Sequence, residues 1–277
     1  MIPPADFRFS QRSLQDFVDC KHRFLLRYMK HLAWPAIVTE PAVEHERRVY
    51  LGARLHQLIQ QHRIGVPEAR LRASIRDPEL MRWWEHYLHD SPSDLPEVQH
   101  TEIVLSAPLA GYRVMAKYDL LALDPGRKAV IVDWKTASRP PRYEHIAARL
   151  QTKVYPYVLA QSGRALNEGI PIQPAQIEMI YWFSNQPQSP VHFQYDEDQY
   201  DMDESYLISL VGQIVDLAES DFLRTSDERL CRYCVYRSLC ERGERAGDLD
   251  VWGDDDETED DLDFDLDFDQ IAEVDIS

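Results

Sequence analysis

The chain has 277 residues, 44% hydrophobic and 28% charged, a globular composition with length for one sizeable core plus appendages. No apolar run reaches the roughly 18 residues of a bilayer span and no charged-then-apolar leader opens the sequence, so a soluble, cytoplasmic protein without a membrane partner is expected. The net charge of −18 argues at first against a polyanionic partner, but residues 248–277 hold 15 of the 48 acids and no Lys or Arg; 48 less 15 leaves 33 acids against 30 bases, a balance of −3 over residues 1–247.

In chain order, Ser10-Gln11-Arg12-Ser13 followed by Leu14, Phe17, Val18, Phe24, Leu25 and Tyr28 predicts a capped amphipathic helix, since the apolar positions recur every three to four residues. Cys20 falls inside that helix. Beyond a linker marked by Pro35 and Pro41, Glu44 to His62 has helical spacing in Val49, Leu51, Leu55, His56 and Ile59. Residues 67–96 read as helix and then loop, punctuated by Pro78, Pro92 and Pro96. From Glu97 the period changes. Val98 to Leu105, Tyr112 to Leu123 and Ala129 to Trp134 are β-rich, separated by Leu109-Ala110-Gly111 and Asp124-Pro125-Gly126, which predicts three sequential antiparallel strands. A helix over Tyr143–Ala160, strands at Gln176–Phe183 and Val191–Tyr195 and a helix over Asp203–Phe222 complete an α/β reading: a central mixed sheet flanked by helices. There is no internal repeat and no phosphate-loop motif, so an ATP-driven motor is not expected. The tail beyond Arg245, with its Asp/Glu run at 254–261 and alternating Leu262 to Asp269, has too few apolar groups to offset ordering entropy and is expected to be disordered.

The sharpest constellation is Asp119 with Asp133 and Lys135 across the turn at Asp124–Arg127. Residues two apart in a strand share a face, so Asp133 and Lys135 lie together and a hairpin brings Asp119 beside them. Two such carboxylates suit Mg²⁺ or Mn²⁺, and an adjacent ammonium can orient water or offset charge on a phosphate, which points to metal-assisted phosphodiester hydrolysis. The same trio also fits solvent-facing strand-end charges. His56 alone fits a core histidine, and Gln151 and Tyr155, one helical turn apart, fit a helix–sheet contact.

Cysteines Cys231, Cys234 and Cys240 have C-x₂-C-x₅-C spacing, and Cys20 supplies a fourth thiol. Four thiolates hold tetrahedral zinc or an iron–sulfur cluster, and spacing does not separate the two. Buried apolar cysteines explain one or two such residues but hardly three within ten. Basic residues gather nearby: Lys21, His22, Arg23, Arg27, Lys30 and His31 form an acid-free stretch, and residues 127–153 hold seven Lys/Arg against two Asp/Glu. Phosphate contacts are expected there, with Tyr143, Tyr155 and Tyr157 as candidates for stacking unpaired bases.

The succession Gly52-x-x-x-His56, Tyr118-Asp119, Asp133-Trp134-Lys135-Thr136 and Gln151-x-x-x-Tyr155 resembles the RecB-like branch of the PD-(D/E)XK nuclease superfamily over Phe9 to Arg242. The pattern Ser10, Ser13, Phe17, Cys20, Phe24, Tyr28 paired with the C-terminal cysteines is similar to its iron–sulfur members, among them CRISPR-associated exonucleases and helicase–nuclease subunits. The resemblance implies a restriction-endonuclease-like core whose N- and C-terminal segments are joined by a [4Fe–4S] cluster on Cys20, Cys231, Cys234 and Cys240. It also implies that His56, Asp119 and Asp133 bind the divalent metal, that Lys135 is the catalytic lysine, that Gln151 and Tyr155 contact DNA or position the lysine, and that Glu102 is an accessory acid. Where the family commonly has Gly shortly before the first Asp, Ala116 and Lys117 stand here.

The resulting expectation is a nuclease domain over residues 1–245 with an acidic tail over 246–277. It acts as a metal-dependent deoxyribonuclease on single-stranded DNA or DNA ends, an exonuclease of repair or recombination. The alternatives are a non-catalytic nucleic-acid-binding or scaffold subunit and a zinc-stapled binding protein. For the tail, the readings are a solubilising appendage, a contact to a basic protein partner, or a DNA mimic over the basic groove.

Overall fold

The computed structural model describes residues 3–33, 40–137 and 141–243, with backbone alone over 40–45. The expected acidic tail at 246–277 lies outside the described residues. Among the described residues no helix is long and apolar enough to cross a membrane.

Strand β1 (Arg8–Ser10) leads into helix α1 (Gln11–Asp19), then α2 (Lys21–Phe24), α3 (Glu40–Arg63), α4 (Glu68–Ser74) and α5 (Pro78–Asp90). The sheet follows as β2 (Val98–Leu109), β3 (Tyr112–Asp124) and β4 (Lys128–Lys135), then α6 (Tyr143–Ala148), α7 (Leu150–Ser162), β5 (Ile177–Phe183), β6 (Val191–Gln194) and α8 (Glu197–Asp216). The sheet is mixed, in the order β1-β3-β4-β5-β6, with β2 also on β3. Pairs β2–β3, β3–β4 and β5–β6 are antiparallel; β1–β3 and β4–β5 are parallel. Layers on both faces bury every residue of β5, as a strand covered on two sides requires. One core cluster joins the sheet to Leu14 and Phe17 of α1, Val154 and Val158 of α7 and Leu207 and Leu210 of α8. The other joins Leu120, Ala122, Val130, Val132 and Trp134 to Leu55 and Leu58 of α3 and Trp83 and Trp84 of α5.

Most expected elements are present, and the differences have local causes. Helix α1 is capped as its sequence indicates: Ser10 Oγ accepts from the Ser13 amide at 3.1 Å and Ser13 Oγ from the Ser10 amide at 2.9 Å, a reciprocal capping box. It stops at Asp19, however. Cys20 is extended (φ −157°, ψ 103°) between α1 and α2, which corrects the single helix through Cys20. The residues beyond it are drawn to the C-terminal segment, with the His22 amide donating to Leu223 O at 3.2 Å and His22 Nδ1 3.1 Å from Phe222 O. The single helix over Tyr143–Ala160 is also divided, because Arg149 is extended and the chain restarts at Leu150. Helix α8 begins six residues earlier than expected, at Glu197, where Asp196 Oδ1 accepts from the Gln199 amide at 2.8 Å.

Candidate active site

One edge of β3 is paired with β2 from Tyr112↔Leu109 to Leu123↔Val98, interrupted at Asp119 and Glu102. The opposite edge pairs with β1 only at 113–115 and with β4 only at 120–124. Residues 116–119 therefore border a gap in the ladder, and Asp119 lies at its β4 end. There the Trp134 amide donates 2.9 Å to Asp119 Oδ2, a carboxylate standing where a backbone carbonyl would continue the sheet. Asp133 is next in register after Val132↔Leu120. Like charges facing each other across strands are destabilising, which agrees with the ladder ending at this step.

Face alternation also slips here. Tyr118 belongs to one core cluster, Leu120 to the opposite one, and Leu121 and Leu123 to the first again. Across from Asp119, Glu102 takes a left-handed backbone at φ 56°, an uncommon and strained conformation for a residue with a Cβ. The two irregularities turn Glu102 and Asp119 toward α3. That helix comes close because of Gly52, at which a Cβ would lie 3.1 Å from Thr136 Oγ1. One turn later His56 Nδ1 stands 3.2 Å from Asp119 Oδ1. Glu102 is ion-paired with Lys117.

Among the described residues, His56, Glu102 and Asp119 each offer a ligand atom, all within 4.8 Å of one another. One imidazole and two carboxylates suit a divalent ion such as Mn²⁺ or Mg²⁺, so these residues fit such a metal. Burial works against a charged His56, but Asp119 by charge and hydrogen bond, then Glu102 and Asp133, outweigh it and bring its pKa up to about 9. Burial likewise opposes an ionised Asp119, yet His56, the Trp134 amide and Lys135 hold its carboxyl below the usual range. Glu102 is pushed up by burial and by the Asp119 charge, with Lys117 and His56 acting in the other direction.

Asp133 and Lys135 share a face, as the strand period requires. Lys135 Nζ lies 3.0 Å from Asp133 Oδ2 and donates to Gln151 Oε1 at 2.9 Å, while Gln151 Nε2 donates to Asp133 Oδ1 at 2.7 Å. These three side chains close a ring at the start of α7, with Asp133 only 3% exposed. Asp133 is thus engaged with Lys135 and Gln151, and the acid grouped with His56 and Asp119 is Glu102. The available signal for Glu102 is an acid leading the apolar run Ile103-Val104-Leu105. Tyr155 packs in the core, its ring 5.2 Å from that of Tyr118, whose hydroxyl donates to Tyr155 O at 2.9 Å. Tyr155 and Tyr157 are buried, so of the three stacking candidates only Tyr143, 54% exposed, presents a ring to solvent. In the N-terminal basic stretch, Arg23 and Arg27 are paired with Asp16, and Lys30 with Glu219.

Cys20 and, some 210 residues later, Cys231, Cys234 and Cys240 line one pocket partly open to solvent, with Arg23, Arg224, Arg237 and Arg242 around it. All four thiols are free and half-buried. Burial raises the thiols of Cys231, Cys234 and Cys240; Arg242, Arg23 and Arg224 respectively pull the other way. Arg242 Nη1 is 3.8 Å from Cys231 Sγ. Four thiols converging on one pocket, with arginines facing them, form a donor set that suits a thiophilic metal ion or an iron–sulfur cluster.

The model of the PD-(D/E)XK nuclease superfamily matches residues 8–241, which contain His56, Glu102, Asp119, Asp133, Lys135, Gln151 and the four cysteines. No curated protein matches the sequence. Solved structures similar to the chain include a Eubacterium rectale protein described as a candidate exonuclease, at 9% identity and a TM-score of 0.43 over 75% of this chain and 79% of that one. Another is SSO0001, at 13% identity and a TM-score of 0.37 over 84% of this chain and 85% of that one.

Proposed function

This chain belongs to the PD-(D/E)XK nuclease superfamily, and from that premise we propose that it is a metal-dependent deoxyribonuclease, an exonuclease acting on single strands or ends in repair or recombination. The observation that carries the reading is the adjacency of two side-chain sets, the His56–Glu102–Asp119 group and the closed Asp133–Lys135–Gln151 ring. Bound at the first set, Mg²⁺ or Mn²⁺ supplies an activated water and offsets phosphate charge. His56, Glu102 and Asp119 would hold that ion, with Asp133 as the further carboxylate on the neighbouring strand. Lys135 orients the attacking water and faces the charge that develops on the phosphate, and Gln151 keeps its ammonium directed. Asp119, fixed by the Trp134 amide, needs no reorganisation.

The cysteine pocket is read as holding a [4Fe–4S] cluster that joins the N- and C-terminal segments, supported by four thiols in one pocket and the arginines around them. Residues 246–277 are read as an acidic appendage that meets a basic protein partner. The test is incubation of labelled single- and double-stranded DNA with Mn²⁺ or Mg²⁺, wild type beside Lys135→Ala. Shortening from the ends by the wild type alone is expected; equal cleavage by both rejects the mechanism, and internal cuts reject the exonuclease. A brown protein with stoichiometric iron and sulfide is expected on anaerobic purification, and a colourless, zinc-bearing one rejects the cluster.

A further inference from the structure

Helix α7 carries Gln151, the link between Asp133 and Lys135, yet its N-cap residue Arg149 makes no side-chain bond to the first turn. The first amides of a helix have no partner within it. That of Leu150 is taken from outside by Gln15 of α1, whose Oε1 accepts it at 3.3 Å. Gln15 Nε2 donates to Asp19 Oδ1 at 2.8 Å, and Arg23 Nη2 donates to Asp19 Oδ2 at 2.6 Å. Arg23 is held from another side by Asp16, at 2.7 Å from Nε, and lines the cysteine pocket with all four thiols. From Arg23, which lines the cysteine pocket, hydrogen bonds lead through Asp19 and Gln15 to the Leu150 amide, and the next residue, Gln151, bonds Asp133 and Lys135.

We infer that Gln15 is a positioning residue through which the occupant of the cysteine pocket sets the placement of Gln151 and Lys135. The inference rests on the iron–sulfur reading above. Thiolates carrying a cluster are anionic, and Arg23 is the cation that faces both them and Asp19. With the pocket filled, Arg23 is held between two anionic groups, Asp19 is directed at Gln15, and the Gln15 carbonyl stays on the Leu150 amide. Without the cluster's charge Arg23 keeps Asp16 and Asp19 but is no longer fixed on its thiolate side, and the Gln15 cap on the first turn of α7 is held less firmly. Such a turn frays locally while the sheet persists.

The test uses the full chain reconstituted with iron(II) and sulfide, before and after iron removal by oxidation and chelation, as wild type, Gln15→Leu and Gln15→Glu. Hydrogen exchange over Leu150–Gln151, iron content, kcat and KM are measured. Gln15→Leu is expected to retain iron, to exchange at Leu150 about tenfold faster, and to lose about tenfold in kcat with KM within twofold. Iron removal is expected to speed Leu150 exchange about tenfold in the wild type and not further in Gln15→Leu. Gln15→Glu, which keeps the acceptor but repels Asp19, is expected to protect Leu150 to within threefold of wild type and to ignore iron. Unchanged exchange in Gln15→Leu, an iron response surviving either substitution, or acceleration extending equally to Leu120–Leu123 overturns the inference. A wild type that takes up no iron overturns the iron–sulfur reading itself.

Discussion

The carboxylate–lysine centre and the cysteine pocket are assembled by opposite means. At the first, backbone hydrogen bonding does the positioning: a break in the β3–β4 ladder presents Asp119 to the Trp134 amide, and one helix N-terminus delivers Gln151 to Asp133 and Lys135. At the second, an extended residue between two helices meets turns about 210 residues later. A site built on paired strands keeps its geometry from the fold alone, whereas a site built from chain ends depends on what it holds.

The largest expected effect separates the two directly. Lys135→Ala is expected to lower kcat by about 10²–10³-fold, ~3–4 kcal/mol, as for loss of one preorganised donor to a transition state. Iron content and the visible spectrum should stay unchanged; a variant that also loses iron would merge the two regions into one unit. Cys234→Ala is expected to do the converse. Loss of a tie closing so long a loop costs ~3–5 kcal/mol of unfolding free energy, readable as a lower urea midpoint. Mn²⁺ binding at His56, Glu102 and Asp119 should change little by calorimetry, and its abolition would show that the strand-built site is not self-sufficient.

A third effect is about tenfold per pH unit. His56 has a raised pKa near 9 in the metal-free fold against 6.5 in the unfolded chain. Its contribution to metal-free stability is therefore complete below about 6.5 and disappears as pH rises through 9. Metal binding must displace that proton, so Mn²⁺ affinity is expected to climb about tenfold per unit from pH 7 to 8.5 and level off above 9. A flat profile would remove His56 from the ligand set. The smallest effect lies at the other region: Ser10→Ala is expected to cost ~1 kcal/mol through the lost cap of α1. Because α1 carries Gln15 and ends at Cys20, the added hydrogen exchange should fall on Gln11–Asp19 and spare β3.

Much of this arrangement is legible in the residues. The β-rich apolar runs mark β2 to β5, the Ser10/Ser13 box marks the start of α1, and the i, i+2 relation puts Asp133 with Lys135. The resemblance marks Glu102 as an accessory acid, but the geometry that sets it beside His56 is not legible, because it depends on a left-handed residue and a face slip at Asp119 that no alternation rule contains. Tyr155 and Tyr157 have the composition of a stacking platform and are buried, since α7 is covered on both sides. The interruption at Cys20 is hidden too: its cause is a contact with Phe222 and Leu223, far along the chain.

The sequence alone determined the α/β class, the family pattern and the chemical types at the site, since periodicity, capping and spacing are local properties that each segment carries with it. Only the tertiary structure decided that Glu102 stands with His56 and Asp119 while Asp133 turns to Lys135 and Gln151. It alone decided that Gln15 caps the helix bearing Gln151, and it brings together in one pocket the four thiols that the resemblance groups. These depend on where strands part and where helices meet, and such choices are settled by burial and hydrogen-bond satisfaction across the whole chain.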